Sequence, residues 1–563
     1  MRIRRATQER YTVRTCSSPA SPDEALVKIL ATNLGHDGAV VLLEDAKLVF
    51  SLEAEKDSNH RYAALSNLDV IQGIGELDGI PDAICVSGWW ARDHEEFLNG
   101  SRVNAGYLGV ADANAIIGSR RFLKRDVRYF SSTHERAHIL CAFGMSPIPK
   151  GTPCYALVWE GSIGAFYELD SDLKITKLGE PLTSPGNRYA LLYGLADPSF
   201  PKDGPFPRPS DAGKLMALAS FSTRVVPTLE ESNLLRFLLS GPYRKLSDYD
   251  GLSTAPHLNA GLEDPEFRNF AGIYSDAIFD TFLNFARANL REKRPLIISG
   301  GCGLNCDWNT KWRNSGCFTD VFVPPVANDS GAAIGTAIDA QLRFTGEPKI
   351  AWDVYSGLGF RMDSCPPPER YAIFAVNVVE VADLLASGLI LGWVSGRYEI
   401  GPRALGNRSI LAAPFKHSTT MRLNQIKRRE SFRPIAPVCL SEDSKMLFGC
   451  DRESPHMLYT YRVATDALEA ITHANGSARV QTVTAESNQP LYELLLAFKA
   501  RTGYGVLCNT SLNFNGKGAI NAMSDLDKYA SENDLDGFVI DGLAYLSRSS
   551  RDAMSYLAGV SRP

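Results

Sequence analysis

The chain has 563 residues, 44% hydrophobic and 22% charged, with a formal net charge of -5. That length exceeds one hydrophobic core, so two or more domains are expected. The slight acidity excludes a protein held to nucleic acid by a broad phosphate footprint, and no apolar run reaches membrane-spanning length.

Residues 1–25 carry Arg2, Arg4, Arg5, Arg10 and Arg14 and a Ser/Pro patch, with no apolar segment of the secretory kind. They read as a flexible extension or an early start codon rather than a transit peptide. The first strand is expected at Ala25–Ala31, followed by Gly38–Leu43 and Leu48–Glu53 as a meander. Pro81–Ser87 reads as a buried strand. His134–Phe143 reads as a helix capped by Ser132 or Thr133. Tyr155–Trp159 and Ala165–Leu169 read as paired strands. The stretch 180–210, rich in Gly, Pro, Asp and Ser, is expected to be irregular and to lie over a substrate site. A long helix at Pro265–Leu290 precedes strand Pro295–Ser299, helix Leu304–Trp312, strand Val321–Val323 and helix Ser330–Leu342. That alternation is α/β. Thr345–Pro368 marks a domain boundary, and a second mixed α/β pattern follows. Eleven cysteines are spread without a disulfide framework, several in apolar runs, so they are expected to be reduced and the compartment cytoplasmic.

Several clusters point to chemistry. His36-Asp37 between Gly35 and Gly38 places an imidazole at a strand end, as a general base or as a buried loop histidine. His134 and His138, spaced i, i+4, share one helix face and can share a metal, although the spacing also arises by coincidence. Asp329, at a strand-to-helix junction, is a candidate third ligand or an ordinary helix cap. Gly300-Gly301-Cys302-Gly303, between a strand and a helix, suits phosphate, with Asn305 as an added polar contact, or is simply a tight turn. From Gly392 to Pro437 the chain gathers Arg397, Arg403, Arg408, Lys427, Arg428, Arg429 and Arg433 among glycines and prolines. Inside a slightly acidic protein this suggests a pocket for a small polyanion.

These motifs, in order, resemble the NodU/CmcH family of O-carbamoyltransferases, whose members include the tobramycin carbamoyltransferase. The resemblance runs from residue 26 to near the C-terminus. It rests on His36-Asp37-Gly38-Ala39, His134-x3-His138, Gly213 to Ala219 and Ser299 to Asn305. It continues through Asn328-Asp329-Ser330-Gly331, Gly401 to Ser409, Phe432-Arg433-Pro434, Gly476 to Thr482 and Cys508-Asn509-Thr510-Ser511. In detail it looks nearest the nodulation-protein-U branch.

The resemblance implies an actin/sugar-kinase-like (ASKHA, Kae-like) domain over 26–355 and a YrdC/Sua-like α/β domain over 369–563. It implies that the second domain makes carbamoyl adenylate from carbamoyl phosphate and ATP (with Mg2+). The first would then transfer the carbamoyl group to a hydroxyl beside Fe2+ or another divalent metal. On this resemblance His134, His138 and Asp329 are metal ligands, and His36 takes the hydroxyl proton. Arg403, Lys427, Arg433, Arg479 and Asn509 contact carbamoyl phosphate and ATP, with Lys427 and Arg433 serving catalysis. Gly300, Gly301 and Asn305 hold the adenylate. Glu160 stands where the family usually has aspartate and reaches the metal or the adenylate. Lys517 stands where an acid is usual. The acceptor is expected to be a small hydroxylated molecule, with Trp89, Trp90 and Tyr107 stacking on it or packing. No nucleic acid or membrane partner is expected, and exposed edges are compatible with a homodimer. The alternatives are a tRNA threonylcarbamoyl-type enzyme, a sugar kinase of the actin-like superfamily, and a non-catalytic ATP-binding regulator.

Overall fold

Val, Leu and Ile dominate three successive strands, β1 (Lys28–Asn33), β2 (Ala39–Glu44) and β3 (Lys47–Glu53), joined by tight turns in which Asp37, Asp45 and Ala46 take positive φ. The computed structural model describes residues 27–58, 60–90, 104–204 and 206–559. The expectations for 1–25, and for the middle of the aromatic segment 87–107, lie outside these residues. β4 (Ala83–Ser87), β5 (Ile116–Phe122) and β6 (Arg125–Ser132) complete a sheet of order β3-β2-β1-β4-β6-β5.

A second sheet repeats this plan. β7 (Cys154–Trp159), β8 (Gly164–Leu169), β9 (Ile175–Gly179), β10 (Leu296–Ser299) and β11 (Val321–Phe322) take the order β9-β8-β7-β10-β11. In both sheets an antiparallel meander comes first and two parallel strands follow on its open side. In both, the last strand feeds a helix, His134–Met145 after β6 and Ser330–Thr345 after β11. The second helix lies on the first sheet, the first helix on the second sheet, and the two pack on each other in the middle. Their approach requires Gly335, where a Cβ would sit 1.8 Å from the Ala137 carbonyl oxygen. The unit therefore has four layers, sheet, helix, helix, sheet, and both helices begin at the same end.

The third sheet has eight strands: β12 (Tyr371–Ala375), β13 (Leu391–Val394), β14 (Arg408–Ala412), β15 (Ala436–Leu440), β18 (Gln481–Val483), β19 (Val506–Ser511), β20 (Gly537–Ile540) and β21 (Leu543–Ser547), in the order β12-β21-β20-β13-β14-β19-β15-β18. A small ribbon of β16 (Tyr461–Arg462) and β17 (Ser477–Ala478) stands beside it. One face is covered by the helices Val378–Ala386 and Gln489–Thr502, the other by His417–Ile426 and Met523–Glu532. Ala351 bridges Lys47 of the first sheet, whereas Gly359 and Arg361 bridge Arg397 and Ala522, so the chain crosses between halves at 351–359.

The expected elements shift by a few residues: the first strand begins at Lys28, and a 3-10 turn, Gly301–Leu304, precedes the helix Cys306–Asn314. The stretch 180–210 is not irregular throughout. Pro185–Ala196 is a helix with residues 188–196 all buried, packed into the core of the second sheet. Every cysteine among the described residues is a free thiol. Among the described residues no helix is long and apolar enough to cross a membrane.

Candidate active site

The repeated architecture brings four segments to one point. The two central helices start there, and so do the first turns of the two meanders. Thr133 caps the first helix by accepting from Arg136 N, which sets His134 and His138 on its inner face. Asp329 stands at the start of the second helix but its side chain makes no capping bond, so its carboxylate is free to face the histidines. The turn after β1 delivers His36 and Asp37, and the turn after β7 delivers Glu160.

His134, His138, Glu160 and Asp329 are buried, and one ligand atom from each lies within 4.8 Å of the others. His138 Nε2 is 3.1 Å from His134 Nε2, 3.4 Å from Glu160 Oε2 and 3.3 Å from Asp329 Oδ1. His134 Nε2 is 3.3 Å from Glu160 Oε2 and 3.6 Å from Asp329 Oδ2. Such separations suit donors around one cation with bonds of about 2.0–2.2 Å. Asp329 Oδ2 is buried without a hydrogen-bond partner. His138 turns its other nitrogen, Nδ1, to Ser299 Oγ at 3.0 Å, leaving Nε2 to face the cluster. Burial alone would lower the His138 pKa, but Asp329 and Glu160 outweigh it and raise it to about 9. Burial alone would raise Glu160 and Asp329, yet the imidazoles hold both below the usual carboxylate range. Two carboxylates and two imidazoles thus call for positive charge at their centre, and the donor set fits a divalent transition metal.

His36 is half-exposed beside this group. Its Nε2 lies 3.4 Å from Asp329 Oδ2 and its Nδ1 3.1 Å from Asp37 Oδ2. Burial works to lower its pKa, and Asp329 and Asp37 raise it to about 9. Tyr107 is sandwiched between His134, at 4.2 Å, and Trp90, at 3.9 Å, while Trp89 meets His36 and His134 edge-on. Of the aromatics expected to stack on an acceptor, Tyr107 is therefore already filled on both faces.

The cations sort into two groups. Arg397 donates to the carbonyls of Gly357, Val49 and Ser356, and Arg408 to those of Ser395, Gly396 and Asn407 and to Asn521 Oδ1. Arg428 donates to the Glu532 carbonyl. These three fix backbone and do not join a pocket. Arg403, Lys427, Arg429 and Arg433 do converge, with Arg479 and, from the first half, Arg61. Burial lowers Arg403 to about 9, helped by Arg479, Arg61 and Arg433. Burial, Arg433 and Arg479 lower Arg429 to about 9, and burial with Arg429, Arg433 and Arg61 lowers Lys427. Arg403 Nε, Arg479 Nε and Asn509 Oδ1 are buried without partners. Such mutual repulsion among under-satisfied donors is what a polyanion relieves. Lys427 is less free than expected, since its ammonium reaches Ser511 Oγ and the carbonyl of Asn513 at 3.3 and 3.0 Å.

One loop touches both sites. Gly300 takes φ 94°, and a Cβ there would lie 2.5 Å from Trp159 O and 2.8 Å from Glu160 Cβ. Four residues on, the Leu304 carbonyl accepts from Arg403 at 2.7 Å. Asn305 spends its side-chain oxygen capping the helix Cys306–Asn314, at 3.2 Å from Trp308 N, rather than on the pocket. Sequence reasoning left Glu160 between two roles and passed over Arg61. The signal for Glu160 was the repeat: Asp37-Gly38 and Glu160-Gly161 each follow the first strand of a meander.

The arrangement, a buried His/carboxylate group joined by a loop to a cation pocket, suits a group-transfer enzyme. Family profiles agree: Carbamoyltransferase N-terminus matches residues 270–338 and Carbamoyltransferase C-terminus matches 382–546. The chain is 46% identical to a 3'-hydroxymethylcephem-O-carbamoyltransferase of Amycolatopsis lactamdurans, over 91% of this chain and 98% of the relative. It is 33% identical to Nodulation protein U of Rhizobium tropici, over 87% and 92% of the two chains. The chain belongs to the carbamoyltransferase family and is a transferase enzyme. Its identity is higher with the cephem enzyme than with the nodulation protein, which moves it away from the branch expected from motif detail. Among solved structures, the activator of the 2-hydroxyisocaproyl-CoA dehydratase from Clostridium difficile covers 57% of this chain and 96% of its own, at 12% identity and a TM-score of 0.32. A likeness at that level carries no argument.

Proposed function

We propose that this chain is an ATP-dependent O-carbamoyltransferase with two sites. In the C-terminal half, carbamoyl phosphate, ATP and water give carbamoyl adenylate, pyrophosphate and orthophosphate. In the N-terminal half the adenylate's carbamoyl group passes to a hydroxyl of a small molecule, and AMP leaves. The observation that carries this reading is the loop Gly300–Asn305, which borders Glu160 at one end and Arg403 at the other. The repeated strand order of the first two sheets supports the actin/sugar-kinase-like reading of that half. The YrdC-like reading of 369–563 rests on the motif resemblance.

Arg403, Arg433 and Arg479, with Arg61 and Arg429 beside them, would neutralise the two anionic substrates and hold them in line. Lys427 would order the loop 511–513 against them. His134, His138, Glu160 and Asp329 would hold a divalent metal, whose Lewis acidity would polarise the carbamoyl carbonyl when bound. His36 would accept the acceptor's hydroxyl proton at Nε2. Asp329, once committed to a cation, would hold the His36 proton less firmly and free that nitrogen for the task. The curated relatives' cephem substrate supports a small hydroxylated natural product as acceptor.

Pyrophosphate release with and without carbamoyl phosphate tests the reading. Release that requires carbamoyl phosphate is expected. Release independent of it overturns the proposal, and labelling of bulk tRNA instead would mark a tRNA-modifying enzyme.

A further inference from the structure

We propose that Tyr107 is a positioning residue of the metal centre: its hydroxyl holds one oxygen of Glu160 and commits that carboxylate to coordination through the other oxygen alone. The inference rests on reading His134, His138, Glu160 and Asp329 as metal ligands.

The two oxygens of Glu160 face different partners. Oε2 looks at the histidines, at 3.3 and 3.4 Å. Oε1 accepts from the Tyr107 hydroxyl at 2.6 Å. Both residues are buried, so this bond has no competition from solvent, and a charge-assisted bond of that length is strong. A phenol is a donor near neutral pH and an ionised carboxylate only accepts, so the bond runs from Tyr107 to Glu160.

The hydroxyl is also fixed in place. Tyr107 stacks between His134 and Trp90, with Trp89 edge-on at 5.8 Å. Its segment is bonded to the first turn of the ligand helix: Gly106 O accepts from His134 N, Tyr107 O from Glu135 N, and Glu135 Oε2 accepts from Gly109 N at 2.6 Å. The same turn that presents His134 therefore holds the group that orients Glu160. A glutamate free to offer both oxygens would occupy an additional coordination position. With Oε1 tied to Tyr107, that position is kept for a reacting oxygen.

The test uses full-length enzyme loaded with cobalt(II), whose visible absorption weakens as coordination number rises. Tyr107→Phe keeps the ring in the stack and removes only the hydroxyl. It should lower the molar absorptivity and slow carbamoyl transfer by about 10–100-fold, while pyrophosphate release stays unchanged and marks a folded protein. In a Glu160→Gln background, where only one oxygen remains, adding Tyr107→Phe should leave the spectrum unchanged. Equal spectra for wild type and Tyr107→Phe overturn the inference. If Tyr107→Phe has lost both half-reactions, Glu160→Gln alone decides: a spectrum like that of the wild type supports one-oxygen coordination, and a lower-coordinate one refutes it. A wild-type chain that takes up no cobalt refutes the metal reading itself, and this inference with it.

Discussion

Lys214 Nζ lies 3.3 Å from Glu430 Oε1, joining the helix Pro209–Ala219 of the first half to the cation pocket of the second. The other oxygen of Glu430 is 3.9 Å from Arg433 Nη1. Lys214 is itself held by Asp211 at 3.6 Å and sits over the Tyr193 ring. The lysine thus competes with Arg433 for the same carboxylate. Replacing it by methionine lets Glu430 close on Arg433 and withdraw that arginine from substrate. Since part-exposed pairs contribute about 0.2–1 kcal/mol, Lys214→Met should raise the KM for the anionic substrates of pyrophosphate release by up to about 5-fold, with kcat nearly unchanged. Adding Glu430→Gln should restore it. A double variant no better than the single one would refute the competition.

His138→Ala removes one of four buried donors and leaves Glu160 and Asp329 short of positive charge. Transfer to the acceptor should be abolished and bound metal lost, while pyrophosphate release persists. Chelation of the wild type, followed by removal of the chelator and assay with Mg2+, should do the same, and adding back the transition metal should reverse it. Metal content and the two half-reactions, measured on one preparation, check both. Joint loss of both half-reactions in a folded protein would contradict the division between sites.

Arg433 behaves in the opposite sense. Charge-assisted bonds contribute about 1.5–3 kcal/mol each, so Arg433→Ala should slow adenylate formation by about 10–150-fold. Added carbamoyl adenylate should still be consumed. Because burial and neighbouring cations already lower the Arg433 pKa, deleting the side chain should not lower the melting temperature without ligand. Scanning calorimetry with and without ATP checks this, and a large loss of stability would mean that the arginine is structural.

What the sequence made legible was mostly local. The helix at His134 carries its own cap, Thr133, and its own i, i+4 pair, so its start could be placed to within a residue and the face shared by the two imidazoles could be read, though not what that face meets. Asp329 was readable as one of two things, and its side chain makes no capping bond and lies beside His138 instead. The helix Pro185–Ala196 escaped notice because it opens on Pro-Gly-Asn and is buried on nearly every side, which removes the polar face that periodicity needs. Arg397 and Arg408 looked like ligand groups because sequence displays a charge but not the carbonyls that absorb it. Arg61 was invisible for the converse reason: it meets the other cations only through the packing of one half against the other.

Acid should weaken the fold through two histidines to which neither half-reaction assigns a role. Burial pushes His456 down to about 4, where it lies against Trp352, and burial with Arg479 pushes His473 down to about 3. An unfolded chain binds these protons near pH 6.5. Folded-state pKa values below the unfolded one mean that the folded chain binds fewer protons in that interval. Stability is therefore full above about pH 6.5 and declines as the pH falls toward 4 and then 3. Each ring contributes at most about 1.4 kcal/mol per pH unit, and solvent screening at these part-exposed positions reduces that figure. His473→Asn keeps a side chain able to bond Ser477 Oγ, 3.2 Å from His473 Nδ1, and removes the titration. Its melting temperature should fall less steeply than that of the wild type between pH 6.5 and 4.5. Parallel slopes for the two proteins would show that His473 carries no part of the acid limb.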